Sequence, residues 1–99
     1  MKIHRNCSLK KFNTFSVDEK AQLLFEVDNI SDIPNILSKQ NKKDEILVLG
    51  GGSNILFTKS YDGLIINLKN KGKKIIQEDE NSVLVEVSAG ENWHDFVLW

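Results

Sequence analysis

The stretch L-V-L-G-G-G-S-N-I-L-F, residues 47–57, places three consecutive glycines between two short apolar runs. Glycine lacks a Cβ, so its backbone can adopt positive φ and can come close to a ligand. Consecutive N–H groups in such a turn can form an anion-binding concavity, and Ser53 and Asn54 add side-chain donors. The pattern predicts a strand-loop-strand turn that cradles a phosphate. A tight strand connection without a ligand is the alternative.

Two common nucleotide-binding motifs do not fit this loop. A P-loop requires a lysine directly after its last glycine, and the first lysine here is Lys59. The G-x-G-x-x-G fingerprint requires a glycine where Ile55 stands, followed by a helix. Residues 55–57 are β-prone and lack helical periodicity. The loop therefore belongs to neither motif.

The composition is that of a single globular domain or part of a larger one. With 99 residues, of which 40% are hydrophobic, the chain can bury a modest core. The single cysteine, Cys7, excludes an internal disulfide and fits a reducing compartment. Neither a secretory signal nor a membrane-spanning apolar run is visible. We therefore expect a cytoplasmic location and no membrane partner.

The charges are distributed unevenly. The net charge of −1 does not suggest nucleic-acid binding, and no protein partner is predicted. Residues 46–74 hold five lysines against one acid, Asp62, whereas residues 75–99 hold six acids and no lysine or arginine. The basic segment favours a bound anion near the glycine loop. Charge runs more often face water, so residues 69–74 are expected to form a solvated turn with Gly72.

Periodicity in the first half predicts a strand, a helix and a second strand. Residues 1–20 are poorly periodic, with Phe12 and Phe15 as isolated anchors. Residues 21–27 are typical of a buried strand, and residues 46–49 of a central buried strand. This order indicates a right-handed βαβ unit with parallel strands. The glycine loop then leaves a carboxyl strand end, where open α/β sheets bind their ligands.

The helix between these strands has its own signals. Ser31 is predicted to be its N-cap. Ile33, Ile36 and Leu37 have the spacing of one inward face. Residues 40–44 are expected to end the helix as a polar loop.

The second half predicts three further strands, over residues 63–68, 73–78 and 82–88. Their short connections favour antiparallel pairing, with a turn at residues 79–82. Asn92 is then predicted to cap a final helix, with Asp95 at the capping-box position. Because this helix has no C-cap glycine, we expect the chain to be a fragment. We expect this fragment to be inactive alone.

Four segments, in this order, resemble the N-terminal part of the UDP-N-acetylenolpyruvoylglucosamine reductase family, also called UDP-N-acetylmuramate dehydrogenases. They are L-K-K-F-N-T-F at 9–15, L-G-G-G-S-N-I-L-F at 49–57, D-G-L-I-I-N at 62–67 and V-S-A-G-E-N-W-H at 87–94. The second segment is highly specific in combination with N-T-F. The resemblance runs from residue 8 to the end of the chain.

This resemblance implies an α+β fold, the N-terminal part of an FAD-binding domain of the vanillyl-alcohol-oxidase or PCMH type. A small βαβ subdomain would be followed by antiparallel strands. The expected division is an N-terminal segment over residues 1–20, a βαβ unit with the diphosphate loop over 21–57, and the start of a second subdomain over 58–99.

The resemblance also implies an activity in peptidoglycan synthesis. NADPH reduces bound FAD, and the flavin passes hydride to UDP-N-acetylglucosamine enolpyruvate, giving UDP-N-acetylmuramate. The family's catalytic residues would lie beyond residue 99, so neither a catalytic residue nor a metal ligand is expected here. The alternatives are an FAD-linked oxidase or dehydrogenase of the same fold and a small non-enzymatic nucleotide-binding module.

Site residues are carried over by position. The FAD diphosphate would be held, mainly through backbone N–H groups, by Gly50, Gly51, Gly52, Ser53 and Asn54. Ile55 would lie beside them, and Gly90 would permit a second close approach to the cofactor. Asn13 and Thr14 are expected to order the N-terminal segment rather than contact the flavin. His94 is expected to be a surface residue of the last helix rather than a proton donor, and Glu91 to favour the N-terminus of that helix.

Overall fold

The computed structural model describes residues 1–40 and 43–99. Its main element is a four-stranded sheet of β1 (Lys2–Ser8), β2 (Lys20–Val27), β3 (Ile46–Leu49) and β4 (Tyr61–Leu68). The spatial order of the strands is β1-β2-β4-β3. β2, β4 and β3 are mutually parallel, and β1 is antiparallel to β2.

A separate antiparallel hairpin and two short helices complete the fold. The hairpin consists of β5 (Lys73–Glu78) and β6 (Val83–Val87). The helices are α1 (Ile33–Ser38), between β2 and β3, and α2 (Trp93–Leu98), after β6.

The core lies on both faces of the four-stranded sheet. Side chains alternate between the faces of a strand, so Ile65 packs on one side while Leu64 and Ile66 pack on the other. All three are at most 2% exposed. The cluster around Ile65 contains Leu9, Ala21, Leu24, Leu49 and Phe57, and the opposite cluster contains Phe25, Val27 and Ile36.

The predicted strand at residues 21–27 is confirmed as β2, and its parallel relation to β3 is also confirmed. The prediction that residues 46–49 form a central strand is wrong. β4 lies between β2 and β3, so β3 is an edge strand of this sheet, with Ile46 and Val48 exposed. The longer apolar run of β4 occupies the centre because it can bury side chains on both faces.

The expected antiparallel pairing is confirmed for β5 and β6 and is wrong for β4. A parallel strand must begin at the same end of the sheet as its neighbour. The connection over residues 50–60 is long enough to return the chain from the end of β3 to that end. The predicted strand at residues 55–57 is also wrong, since this part of the connection is irregular. The sheet continues past residue 57, and the predicted domain division stays a prediction.

The N-terminal segment differs most from its prediction. It was expected to lack periodic structure, yet β1 pairs with β2 along most of its length. The signal was weak because an edge strand exposes many of its side chains and carries polar residues there. Phe15 is 58% exposed and is not an anchor.

The anchor of this segment is Asn13, which is 7% exposed. Its Nδ2 donates to the carbonyl oxygens of Leu9 (2.7 Å) and Val17 (3.2 Å), and its Oδ1 accepts from the Val17 N–H at 3.0 Å. The Thr14 N–H donates to the Gly52 carbonyl at 3.0 Å. The expectation that Asn13 and Thr14 order this segment is confirmed.

The start of the helix was predicted incorrectly. A 3-10 turn over Ile30–Asp32 precedes α1, and Asn29, not Ser31, caps it by accepting from the Ser31 N–H at 3.0 Å. Ile36 is buried, as predicted, but Leu37 is exposed. The predicted polar loop at 40–44 includes Asn41 and Lys42, which lie outside the described residues.

The predicted hairpin turn and the predicted helix cap in the second half are confirmed. Asp79 Oδ1 accepts from the N–H groups of Asn81 and Ser82, both at 2.8 Å, and closes the hairpin. Asn92 Oδ1 accepts from the Asp95 N–H at 3.0 Å and caps α2.

We predict that Asn13→Ala lowers the free energy of unfolding by about 2–3 kcal/mol, because it leaves buried backbone groups without partners. Urea unfolding of the purified full-length protein measures this change. Thr14→Ala, which changes an exposed side chain, is the matched control. A loss below about 0.5 kcal/mol for Asn13→Ala would contradict the anchoring role.

Candidate functional site

A cleft of about 1070 Å³ opens where the parallel strands end. Gly50 and Gly51 follow β3 on its wall, Asn67 and Lys69 come from the end of β4, and Glu26 comes from the end of β2. The glycine loop therefore lies where the sequence predicted a ligand site, at the carboxyl edge of the sheet.

Gly52 is required by the fold itself. It is buried, its φ is +70°, and a Cβ there would lie 2.0 Å from the Phe12 carbonyl oxygen. The N-terminal segment therefore packs directly against the backbone of the loop. Any side chain at this position would push the two segments apart and would strain the backbone.

Gly51 has no such structural reason. It is exposed, it lines the cleft, and a Cβ there would meet no atom within 4 Å. Its φ is not positive. Where the backbone permits alanine, glycine destabilises a fold by about 0.4–1 kcal/mol. The free space beside Gly51 therefore fits a ligand that approaches its backbone.

The backbone donors of the loop are free. Within the described residues, the N–H groups of residues 50–54 donate no hydrogen bond. A residue with positive φ, such as Gly52, can turn successive N–H groups towards one side and so form an anion-binding concavity. These donors suit the oxygen atoms of a phosphate.

Asn67 joins β4 to the start of the loop. It stands opposite Leu49 in the parallel register, and its Nδ2 donates to the carbonyl oxygens of Leu49 (3.2 Å) and Gly50 (2.8 Å). The residue is 3% exposed. Its Oδ1 is the buried side-chain atom without a hydrogen-bond partner among the described residues. Such an atom costs about 1–3 kcal/mol unless a ligand or water donates to it.

An ion-pair cluster around one buried carboxylate forms another part of the wall. Glu26, which is 8% exposed, pairs with Lys69 through Oε1 and with His4 through Oε2, where the distance to His4 Nε2 is 2.6 Å. The hydrogen bond from Lys69, followed by that from His4, lowers the pKa of Glu26 to about 2. Glu26 is therefore ionised at neutral pH and holds both basic groups in place.

The cleft carries an excess of basic groups. The acids on its wall are Glu26, Asp18 and Asp28. The basic residues are Lys2, His4, Lys10, Lys11, Lys69 and Lys71. This excess raises the electrostatic potential for an anion.

Within the solvated turn predicted at residues 69–74, Lys69, Lys71 and Gly72 are exposed, and Gly72 has a φ of +142°. Lys73 and Lys74 instead belong to β5, and Lys73 is half-buried. These lysines are nevertheless paired. Lys71 Nζ donates to the Gly90 carbonyl at 2.7 Å, and Lys73 Nζ lies 3.7 Å from Glu91.

Of the predicted site residues, three line the cleft: Gly50, Gly51 and Gly90. Ser53 and Asn54 have exposed side chains outside its lining, and Ile55 packs against the core. The assignments of all seven residues to the cofactor stay predictions.

Gly90 has a packing reason to be glycine. A Cβ there would lie 2.5 Å from the backbone nitrogen and oxygen of Asn70, and the Gly90 N–H donates to Asn70 Oδ1 at 3.1 Å. The turn after β6 also lies beside the glycine loop, because a Cβ on Gly50 would be 3.5 Å from the Ala89 carbonyl oxygen.

Several wall residues were missed from the sequence. Lys10 and Lys11 lie in L-K-K-F-N-T-F and Asn67 ends D-G-L-I-I-N, so all three lie in segments that carry the family resemblance. An amide that interrupts an apolar strand was a usable signal, because buried polar groups need partners. His4 and Glu26 gave no signal, since their contact depends on the pairing of β1 with β2.

Two classes of site have no support within residues 1–40 and 43–99. No group of histidine, cysteine, aspartate or glutamate there could hold a metal ion. No helix in the same residues is long and apolar enough to cross a membrane.

The model of a family described as "FAD binding domain" matches residues 21–99. The chain belongs to this FAD binding domain family. Its cleft fits such a cofactor, since free N–H groups, an open glycine and basic side chains meet there.

Curated relatives match the chain along its length. It is 50% identical over 99 residues to UDP-N-acetylenolpyruvoylglucosamine reductase of Flavobacterium johnsoniae, covering 100% of the chain and 29% of the relative. It is 37% identical over 100 residues to the reductase of the same name from Pseudomonas aeruginosa, covering 100% and 30%. For the Pseudomonas fluorescens reductase the identity is 40% over 98 residues, covering 98% and 29%. The chain thus spans 29–30% of the length of these relatives.

We predict that Glu26→Gln destabilises the full-length protein at pH 7 by up to about 3 kcal/mol, since one pKa unit corresponds to about 1.4 kcal/mol. Because the folded pKa is below the usual value of 4.5, this stabilisation is complete above pH 4.5 and is lost as the pH falls towards 2. Urea unfolding at several pH values should show the two proteins converging in acid.

Glu86→Gln is the matched control for this substitution. Glu86 pairs with Lys74 at 3.7 Å, but both side chains are 66% exposed. An exposed pair contributes little, so this variant should unfold like the wild type throughout. A stability difference for Glu26→Gln that did not change with pH would contradict the role of the ionised Glu26 carboxylate.

Proposed function

We propose that this chain forms the diphosphate-binding part of the FAD site in an NADPH-dependent UDP-N-acetylenolpyruvoylglucosamine reductase, or UDP-N-acetylmuramate dehydrogenase. The observation that carries the proposal is the run of unpaired N–H groups at residues 50–54, with Gly51 open to the cleft. The whole-length similarity to reductases of this name supports the substrate.

The chemistry of the loop suits a diphosphate. Backbone N–H groups donate to phosphate oxygens in charge-assisted hydrogen bonds, which are stronger than bonds between neutral groups. Gly51 lets these oxygens approach without a Cβ in between. Lys10 and Lys11, which also line the cleft, add positive charge, while Ser53 and Asn54 offer further donors at the end of the loop.

The rest of the activity belongs to the full-length protein. FAD, when bound, supplies the hydride carrier between NADPH and the enolpyruvyl double bond of UDP-N-acetylglucosamine enolpyruvate. The residues described here bind and orient that cofactor and carry no catalytic group. The product, UDP-N-acetylmuramate, serves peptidoglycan synthesis, and the enzyme acts in the cytoplasm.

We assign the fold to the N-terminal part of a vanillyl-alcohol-oxidase or PCMH-type FAD-binding domain. The family match and the mixed parallel sheet followed by an antiparallel hairpin support this assignment.

An oxidase with covalently attached FAD is the weaker alternative. Such attachment uses a histidine or cysteine near the flavin, and His4 and Cys7 both line the cleft. His4 is held by Glu26, and burial raises the pKa of the Cys7 thiol, which disfavours the nucleophilic thiolate. The relatives compared above also carry the name of a reductase.

We predict that Gly51→Val in the full-length protein weakens FAD binding at least about tenfold, because its side chain would enter space that the phosphate oxygens need. The melting temperature of the apoprotein should not fall, since a Cβ at Gly51 meets no protein atom within 4 Å. Titration of the apoprotein with FAD, followed by flavin fluorescence, measures the affinity.

Two further variants control for this result. Thr58→Val changes an exposed residue outside the cleft and should bind FAD normally. Gly52→Ala should lower the melting temperature, because its Cβ would collide with the Phe12 carbonyl. Wild-type affinity in a stably folded Gly51→Val protein would show that the diphosphate lies elsewhere.

We also predict that the full-length protein oxidises NADPH beyond the amount that reduces its bound FAD only when UDP-N-acetylglucosamine enolpyruvate is present, and that residues 1–99 alone neither catalyse this reaction nor bind FAD tightly. The physical reason is that one loop and a partial wall cover only part of a dinucleotide. Loss of NADPH absorbance and calorimetry with FAD test the two statements. Micromolar FAD binding by residues 1–99 alone would disprove the second.

A further inference from the structure

We propose that Asn67 has two roles in the cofactor site: its amide nitrogen positions the glycine loop, and its Oδ1 accepts a hydrogen bond from a hydroxyl group of the bound dinucleotide beside the diphosphate. This inference rests on the proposed FAD-binding function. It adds a residue that neither the glycine motif nor the family match identifies.

The positioning role follows from the two bonds that Asn67 donates. They fix the carbonyl groups of Leu49 and Gly50. In a trans peptide the C=O and the following N–H point in opposite directions. Fixing these two carbonyls therefore also fixes the directions of the Gly50 and Gly51 N–H groups, which are the first free donors of the loop.

The same two bonds determine which way the amide faces. Carbonyl oxygens accept hydrogen bonds only from a donor, so the nitrogen of Asn67 must be on the side of Leu49 and Gly50. The oxygen consequently faces away from them. It is buried and has no donor among the residues described, and the residue itself lines the cleft.

The neighbouring lysines do not donate to Asn67 Oδ1. Lys69 Nζ is held by Glu26, and Lys71 Nζ donates to the Gly90 carbonyl at 2.7 Å. An amide oxygen cannot bond to a phosphate oxygen, because both are acceptors at neutral pH. The partner must carry an N–H or O–H group, and in FAD the hydroxyls of the ribityl chain and the ribose flank the diphosphate.

The first test uses the wild-type full-length apoprotein and a set of FAD analogues, each lacking one hydroxyl of the ribityl chain or of the ribose. We expect one analogue to bind about five- to tenfold more weakly than FAD, the usual effect of one lost hydrogen bond. If every analogue binds within about twofold of FAD, a water molecule satisfies Asn67 Oδ1 and the proposal is overturned.

The second test assigns that hydroxyl to Asn67. Asn67→Ala should weaken FAD binding and should bind FAD and the discriminating analogue equally well. Asn67→Asp keeps an oxygen acceptor but loses the donors to the loop, so it should weaken FAD binding yet still prefer FAD to the analogue. Asn35→Ala, on the exposed surface of α1, should behave like the wild type.

The outcomes separate this proposal from the one it rests on. A wild-type protein that does not bind FAD would overturn the proposed function. Normal FAD binding, with the discrimination unchanged in Asn67→Ala, would overturn only the role of Asn67. If Asn67→Ala takes up no flavin, loss of discrimination in Asn67→Asp would overturn the hydroxyl contact.

Discussion

The insertion of β4 between β2 and β3 is the constraint on which the rest of the structure depends. It places three parallel strands side by side, so that their carboxyl ends meet at one edge. Glu26, Leu49 and Asn67 are far apart along the chain but meet at this edge. A β3 paired directly with β2 would leave Asn67 without the carbonyls that it holds.

Two of the three glycines in the loop have different roles. Gly52 allows the N-terminal segment to pack on the loop, and this contact brings Phe12 and the adjacent lysines to the cleft. Gly51 faces open space and has no packing role. A motif of three glycines thus combines one residue needed by the fold with one that leaves room for a ligand.

Charge in the cleft is organised by a single buried acid. Glu26 holds His4 and Lys69 at the ends of neighbouring strands, and its ionisation at neutral pH keeps the pair intact. The remaining lysines on the wall are left to raise the potential for an anion. Stability and the electrostatic potential for a ligand are therefore linked at this edge, because the strand ends hold both the Glu26 ion pairs and the basic groups of the cleft.

The sequence alone determined the position of most strands, the polar caps of the second half, the glycine loop and the resemblance to a flavoenzyme family. These depend on local signals: apolar periodicity, Asx caps and a run of residues without Cβ atoms. Only the tertiary structure decided the strand order, the pairing of β1, the separate roles of Gly51 and Gly52, and the clamp by Asn67. Each of these depends on contacts between segments that are distant along the chain, and a local pattern contains no information about which strand will lie beside which.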